Sequence, residues 1–575
     1  MTAQPSEQAT RHRTAGRGST LVAAGILLSR VTGLVRERAI GHFFGTGFAA
    51  DAFSAANRIP NVLQSLLGEG VLSASIIPTY SRLLAEGRER DAGRVAGAVA
   101  GLLAAVVGTL VLLMVAFARP LTRVLAPGLG EETFELTVSL MRIITPAIGI
   151  LVLSAWCLGV LNSHRRFFLS YVAPVLMNVT QIAVLVVAAA AVAGDLGGDL
   201  DGATQSSLVV WLAWGTLIGG AMQFAVQVPT VLRVAPDLRF GLGTRDAGTR
   251  EVVRSFVPIV AGRGVVHLSG FLQLFLASFL ALGALAAMRY AQMLYVLPVS
   301  LFGMAVAAAE LPELSSLGAD RHDVRGARVG AGLARIVFFV APTMVAFVVV
   351  GDFLVAALYQ SGEFDRSDVV QVWIVLAVHA LGLLTTTASR LLQSDLYGVG
   401  RPRTPARVAV VRVAVSLALG LVLMLQFDRL AIGPDGLEQV GDLPAFAPLP
   451  EQLRDPVDGQ SQHHLGAVGL AVAAATASLI EYRLLRRAVL GHVAQVTITG
   501  GRLRRTLAAA AICGVAGLAV RPLATGLAPI VAGLVVVTVV SAAYLVAAWR
   551  LGVPETRQLV HLVSRPPRTG TGPGP

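Results

Sequence analysis

Apolar residues run along this chain in long blocks, broken by short clusters of arginine, glycine and proline. The stretches 95–118, 167–194, 202–232 and 522–549 contain no Asp, Glu, Lys or Arg. Each is long enough for a spanning helix, which needs about 20 apolar residues at about 1.5 Å rise apiece. Backbone groups in lipid must be paired within their own segment, so such blocks are expected to be helical. The pattern predicts about fourteen helices, near 20–43, 47–81, 95–118, 134–161, 167–193, 207–232, 252–282, 284–313, 329–350, 369–397, 406–426, 464–485, 503–520 and 527–549. The expected fold class is all-α, a polytopic membrane protein.

Composition agrees with the pattern. The chain has 575 residues, 55% hydrophobic and only 14% charged, where a soluble domain carries about 25% charged residues. The net charge of +12 invites a nucleic-acid reading, but the basic residues, all arginine, are scattered between apolar blocks. With the N-terminus inside, the opposite loops hold only Arg119, Arg123, Arg366, Arg429, Arg454 and Arg521. Cytoplasmic tails and loops then carry roughly five arginines for each of these, the bias of positive-inside insertion, with both termini cytoplasmic. Cys157 and Cys513 lie in apolar segments and read as small hydrophobes, with no disulfide or metal pattern. The polar start holds Arg11, Arg13 and Arg17 and leads into an apolar segment without a small-residue cleavage site, so the first helix is expected to be retained. The loop 427–463 and the tail 553–575 are rich in Pro and Gly and are expected to be flexible, without a packed core.

Charges inside spanning segments cost about 2.5–3.5 kcal/mol each on insertion scales and so call for a reason. In DAFSAANRIPNVLQSLLGEG, one continuous helix would place Asp51, Arg58 and Glu69 within about 20° of one line. Pro60 is expected to kink that helix and free a carbonyl. The first helix contributes Arg30, Arg36 and Arg38, balanced only by Glu37. Arg30 sits near mid-span and Arg36 opposes the positive-inside trend, so both read as cavity residues. Arg263 lies in a long uncharged stretch, and Arg289 shares its predicted helix with Glu310 and Glu313. Arg142, Arg335, Arg390 and Arg412 lie nearer helix ends and read as snorkelling. His267 and His379 read as core histidines. Several arginines in an intramembrane cavity imply an anionic substrate, since the guanidinium fork suits phosphate and stays charged. No P-loop, HExxH or GxSxG occurs, so an enzyme is not expected. No cofactor is expected either, and energy would come from membrane potential, an ion gradient or downstream consumption.

A faint internal repeat pairs DAFSAANRIP at 51–60 with RYAQMLYVLP at 289–298, and transporters often place a site between repeated halves. SRVTGLVRERAIGHFFGTGFAADAF, followed by NRIPNVLQSLLGEGVLSASIIPTYS, resembles the N-terminal signature of the MurJ (MviN) family. Those are bacterial lipid II flippases of the multidrug/oligosaccharidyl-lipid/polysaccharide exporter superfamily. The likeness continues more loosely over 278–316 and 390–409. It implies an N-lobe of six helices at 20–233, a C-lobe of six at 234–490 and two further helices at 491–552, around a central cavity. By the same resemblance Arg30, Arg36, Asp51, Asn61 and Glu69 match family cavity positions, and Arg58 stands where a basic residue is usual. Gln64 and Met293 depart from the pattern by replacing arginines, and 406–426 lacks the acids of a sodium site found in some members.

The resulting expectation is a flippase of the bacterial cytoplasmic membrane that moves undecaprenyl-pyrophosphate-linked lipid II by alternating access. Asp51 and Glu69 are expected to hold neighbouring arginines in place. Expected partners are lipid II or a related polyprenyl-linked glycan, membrane lipids and possibly other cell-wall synthesis proteins, with no nucleic acid. The rivals are a flippase for another lipid-linked oligosaccharide, kept open by Gln64 and Met293, and a non-transporting scaffold. A membrane glycosyltransferase would want catalytic acids and a large outer domain.

Overall fold

The computed structural model describes the backbone of residues 5–557 except 193, 195–199, 243–246, 305, 308–309, 311–312, 314–321, 434–435, 455–462, 492, 494–495 and 497–499. Side chains are described over the same residues, further excepting 5–24, 69, 257–259, 261–269, 304 and 322. The chain forms α1 (Pro5–Phe44), α2 (Phe48–Leu67), α3 (Glu69–Ala85), α4 (Glu89–Ala116), α5 (Ala118–Leu125), α6 (Glu131–Ser163), α7 (Phe167–Val192), α8 (Gly202–Val234), α9 (Ala247–Ala277) and α10 (Ala284–Pro298). A π-helical turn (Val299–Met304) follows, then α11 (His322–Tyr359), α12 (Arg366–Leu381), α13 (Leu383–Gly398) and α14 (Arg403–Phe427). The last helices are the one-turn α15 (Glu451–Arg454), α16 (Gly466–Leu490), α17 (Gly500–Ala524) and α18 (Pro529–Arg550).

Among the described residues eleven helical stretches are long and apolar enough to cross a membrane, and the pair α12 and α13, bent by 43°, makes a twelfth if it is one span. The two other predicted spans, 20–43 and 252–282, fall on α1 and α9, where part of the side chains lies outside the described residues. The predicted helix 47–81 is two helices. It breaks at Gly68, where the backbone turns to φ −88°, ψ −153°, while Pro60 lies inside α2. A Cβ at Gly68 would stand 2.1 Å from the Gln64 carbonyl oxygen, so only glycine fits this break.

The chain divides into two compact units. The first comprises Met1–Ala286, Ser361–Phe364 and Pro450–Ser461, and the second the rest. The division falls at Ala286, not at the 233/234 boundary expected of six-helix lobes, because α9 packs on α2, α3 and α4. In the first unit α6 is central, with α2, α3, α4 and α8 around it. Past Arg142 it carries no charged residue up to Ser163, and a helix apolar on all faces belongs in a core. In the second unit α17 and α18 pack on α11 and share one core, where the Tyr544 hydroxyl donates to the Phe338 carbonyl at 2.5 Å. α14 packs closely along α16, yet only 11% of its most apolar window is buried, leaving most of that helix for lipid.

The loop 427–463, expected to be flexible, carries a three-stranded antiparallel sheet in the order β2 (Gly436–Gln439), β1 (Leu430–Gly433), β3 (His463–His464). Side chains finish what the short ladders begin. Gln426 brackets Ala445, donating to its carbonyl and accepting from its N–H at 2.9 Å, and Gln371 Nε2 donates to the His464 carbonyl at 2.9 Å. Composition reported the Pro and Gly content of this loop but not these pairings.

Candidate functional site

The first unit gathers most of the charges that sequence singled out. On α1, Arg30 is exposed and Arg36 half-buried. Arg36 Nη1 donates to Asn178 Oδ1 at 3.0 Å and Nη2 to Glu37 Oε1 at 2.6 Å. Asn178, on α7, returns its Nδ2 to Thr32 Oγ1 at 3.1 Å, so an amide fixes the height of the arginine on α1. The Arg36 Nε is buried with no hydrogen-bond partner among the described residues. A buried donor left open is costly unless something else fills it.

Along α2 exposure rises from one end to the other. Asp51 is buried, Arg58 half-buried and Asn61 exposed. The described hydrogen bonds of Asp51 run to backbone groups. Its Oδ2 accepts from the Gly283 N–H at 2.8 Å and its Oδ1 from the Ala286 N–H at 2.6 Å. The first N–H groups of a helix have no intrahelical partner and attract a carboxylate, so Asp51 caps α10 from another helix. Gly283 lies at φ +88°, with room for no Cβ against the Thr46 carbonyl, 2.6 Å away. The same carboxylate borders a small pocket with Thr133, Ser278, Glu451 and Arg454. Arg454, on α15, donates to the Gly128 carbonyl at 2.8 Å there.

Arg58 is the single cation of α2. Its Nη2 donates to Gln273 Oε1 on α9 at 3.0 Å, and no carboxylate pairs with it among the described residues. Gly270, one turn before Gln273, leaves the guanidinium space: a Cβ there would lie 3.6 Å from Nη2. The side chains of Glu69 and Arg263, both expected at the site, lie outside the described residues. Glu69 begins α3 after the break at Gly68, so the single line drawn through Asp51, Arg58 and Glu69 does not carry over.

In the second unit Arg289 lies on α10, half-buried, its guanidinium 4.6 Å over the Tyr290 ring. It does not share a helix with Glu310, because α10 ends at Pro298 and passes into the π turn. Glu310 instead accepts from Arg328 Nε at 2.6 Å and from Arg335 Nη1 at 3.2 Å, so Arg335 holds a buried acid where snorkelling was expected. His379 is a half-buried core histidine whose Nδ1–H donates to the Val375 carbonyl at 3.1 Å.

Sequence reasoning passed over Glu481 on α16. Its side chain is 3% exposed, its Oε1 accepts from Gln393 Nε2 at 3.0 Å, and its Oε2 lies 3.2 Å from Arg412 Nη1. A lone acid fifteen residues into an apolar helix was the available signal. Asp365, Asp368 and His463 bring three ligand atoms within 4.8 Å of one another, a spacing a metal ion could use. The two aspartates already close the capping box of α12. Burial lowers the pKa of His463 and of His464, keeping both imidazoles neutral.

Comparison with known proteins places these features. A model of the family "Lipid II flippase MurJ" matches residues 40–434. The lipid II flippase MurJ of Burkholderia cenocepacia is 32% identical over 392 residues, covering 67% of this chain and 73% of that protein. The solved structure titled "Lipid II flippase MurJ, inward closed conformation" superposes with a TM-score of 0.69 at 18% identity, over 95% of this chain and 100% of that one. The inward-facing structure of a multidrug resistance MATE family transporter of the MOP superfamily superposes with a TM-score of 0.57 at 15% identity, over 80% of this chain and 95% of that one. With a matching family model across most of its length, a relative of this identity and the shared fold, the chain belongs to the MurJ lipid II flippase family.

Proposed function

We propose that this protein flips lipid II across the bacterial cytoplasmic membrane by alternating access, with both termini in the cytoplasm. It is a transporter and not an enzyme. Family membership supports the substrate class, and Arg58 carries the mechanism: a cation in a spanning helix whose described partner is a neutral amide keeps its charge available to an anion. Arg36 is the second cation of this reading: it is paired with Glu37, but its Nε has no partner among the described residues. Together they would grip the pyrophosphate bidentately while the prenyl tail stays in lipid. Membrane potential or an ion gradient drives the cycle in this reading, and partners in cell-wall synthesis consume the product.

The test is complementation. Expressed in a bacterium depleted of its own flippase, the wild type should restore growth, while Arg36→Ala and Arg58→Ala should fail at equal membrane abundance. Normal growth with both variants would overturn the assignment. Gln64 is half-buried on α2 where the family pattern has arginine, which favours one alternative, another polyprenyl-pyrophosphate glycan. Restoration of a different lipid-linked pathway, and not of peptidoglycan synthesis, would establish it.

A further inference from the structure

We propose a second anion subsite inside the second unit, built by Arg412 and Arg390 and guarded by Glu481. This rests on the flippase reading and adds to it a contact for another part of the same substrate. Arg412 lies nine residues from the start of α14, and Glu481 nine residues from the end of α16. Both are therefore about 13 Å along their helices from the ends that Arg403 and Leu490 mark. That depth exceeds the reach of a snorkelling arginine, and an ionisable group there calls for a function.

The neighbours make the place polar. Arg390, Thr386 and Gln393 lie three or four residues apart and share one face of α13. Thr386 Oγ1 accepts from the Tyr295 hydroxyl at 3.0 Å, and Gln393 donates to Glu481. Arg390 stands one helical turn from Thr386 and from Gln393, which holds Glu481. Arg390 is exposed, with no acid partner among the described residues. Two guanidiniums thus stand against one carboxylate, an excess of positive charge on a face lined with hydroxyl and amide groups.

The Arg412–Glu481 contact is looser than the two tightest clamps of this unit, though Arg335 meets Glu310 at one point and 3.2 Å in the same way. Arg521 meets Asp352 through two parallel bonds of 2.9 Å, and Arg325 meets Asp395 at 2.9 Å with the two side chains 3% and 0% exposed. Arg412 touches Glu481 at one point, 3.2 Å away, and its side chain stays 38% exposed while the acid is 3% exposed. The acid is inside and the cation at the open surface. Glu481 is an internal stand-in for an anion: it holds Arg412 in place until a phosphate or carboxylate of the headgroup displaces it, then takes Arg412 back as the headgroup leaves.

Binding of lipid II and of undecaprenyl pyrophosphate to the full-length protein in nanodiscs tests this. Glu481→Gln should tighten binding by roughly threefold to tenfold, because Arg412 loses its competitor, and should slow release. Arg412→Ala and Arg390→Ala should weaken it by about tenfold each. The double variant Arg412→Ala/Glu481→Gln should bind no better than Arg412→Ala alone. A clamp would give the opposite sign: Glu481→Gln would lower the unfolding temperature and leave affinity unchanged or weaker. Equal effects on both lipids place the pyrophosphate at this subsite, and effects on lipid II alone place a carboxylate of its peptide there. Wild-type binding that none of the three single variants alters would overturn the subsite and spare the flippase reading. Failure of the wild type to bind either lipid would overturn both.

Discussion

Charge on α2 of the first unit is held differently from charge in the second unit, although Arg36 and Glu37 pair directly on α1. In the second, buried acids meet arginines directly: Asp395 with Arg325, Asp352 with Arg521 and Arg366, Glu310 with Arg328 and Arg335. In the first, α2 keeps its acid and its arginine apart. Asp51 is spent on backbone N–H groups at one end, and Arg58 is left to an amide seven residues on. Paired charges stabilise an arrangement and are neutral to a passing anion, whereas a cation held by neutral groups keeps its field. Under the proposed function, the difference fits α2 as a place to grip an anionic headgroup, and most of the second unit's pairs as framework.

Breaking a framework pair should have the largest effect on stability. Asp395→Ala leaves Arg325 buried without its carboxylate and should cost about 3–5 kcal/mol, read as a lower unfolding temperature in detergent. A fall no greater than that of Arg58→Ala would erase the contrast between the units. Asp51→Ala should cost less, about 1–3 kcal/mol, since two N–H groups at the start of α10 lose their acceptor. Asp51→Asn, which keeps one acceptor oxygen, should recover part of that loss. A full recovery of stability without transport would return Asp51 to a role at the substrate.

The smallest effect concerns pH. Burial depresses the pKa of His463 and His464 in the three-stranded sheet. A histidine whose folded pKa is lowered contributes stability that is present above its ordinary value near 6.5 and is lost as pH falls below it. Protection factors of the β1 and β3 amides, corrected for the intrinsic pH dependence of exchange, should therefore fall as pH drops below about 6.5. No change as the pH is lowered would show that the sheet is not held by neutral imidazoles.

The spans were legible because lipid leaves so few choices: uncharged blocks of about 20 residues have to be helices. Arg36 and Arg58 were legible for the same reason, as charges in the wrong solvent. The role of Asp51 was not, because its partners are backbone atoms more than 230 residues away, which carry no side-chain signal. Gly68 looked like one more glycine in a helix, and its break undid the alignment of Glu69. Arg335 and Arg412 were read as snorkelling because their acids, Glu310 and Glu481, sit on other elements. Proximity along the chain reports helices well and ion pairs between helices poorly.

Headgroup exposure tests the central claim most directly. In cells depleted of their own flippase, the fraction of lipid II accessible at the outer face of the membrane should rise to the normal level when this protein is expressed. With Arg58→Ala at equal abundance and unchanged unfolding temperature, it should stay at the depleted level. Equal exposure with the wild type and Arg58→Ala would contradict the account.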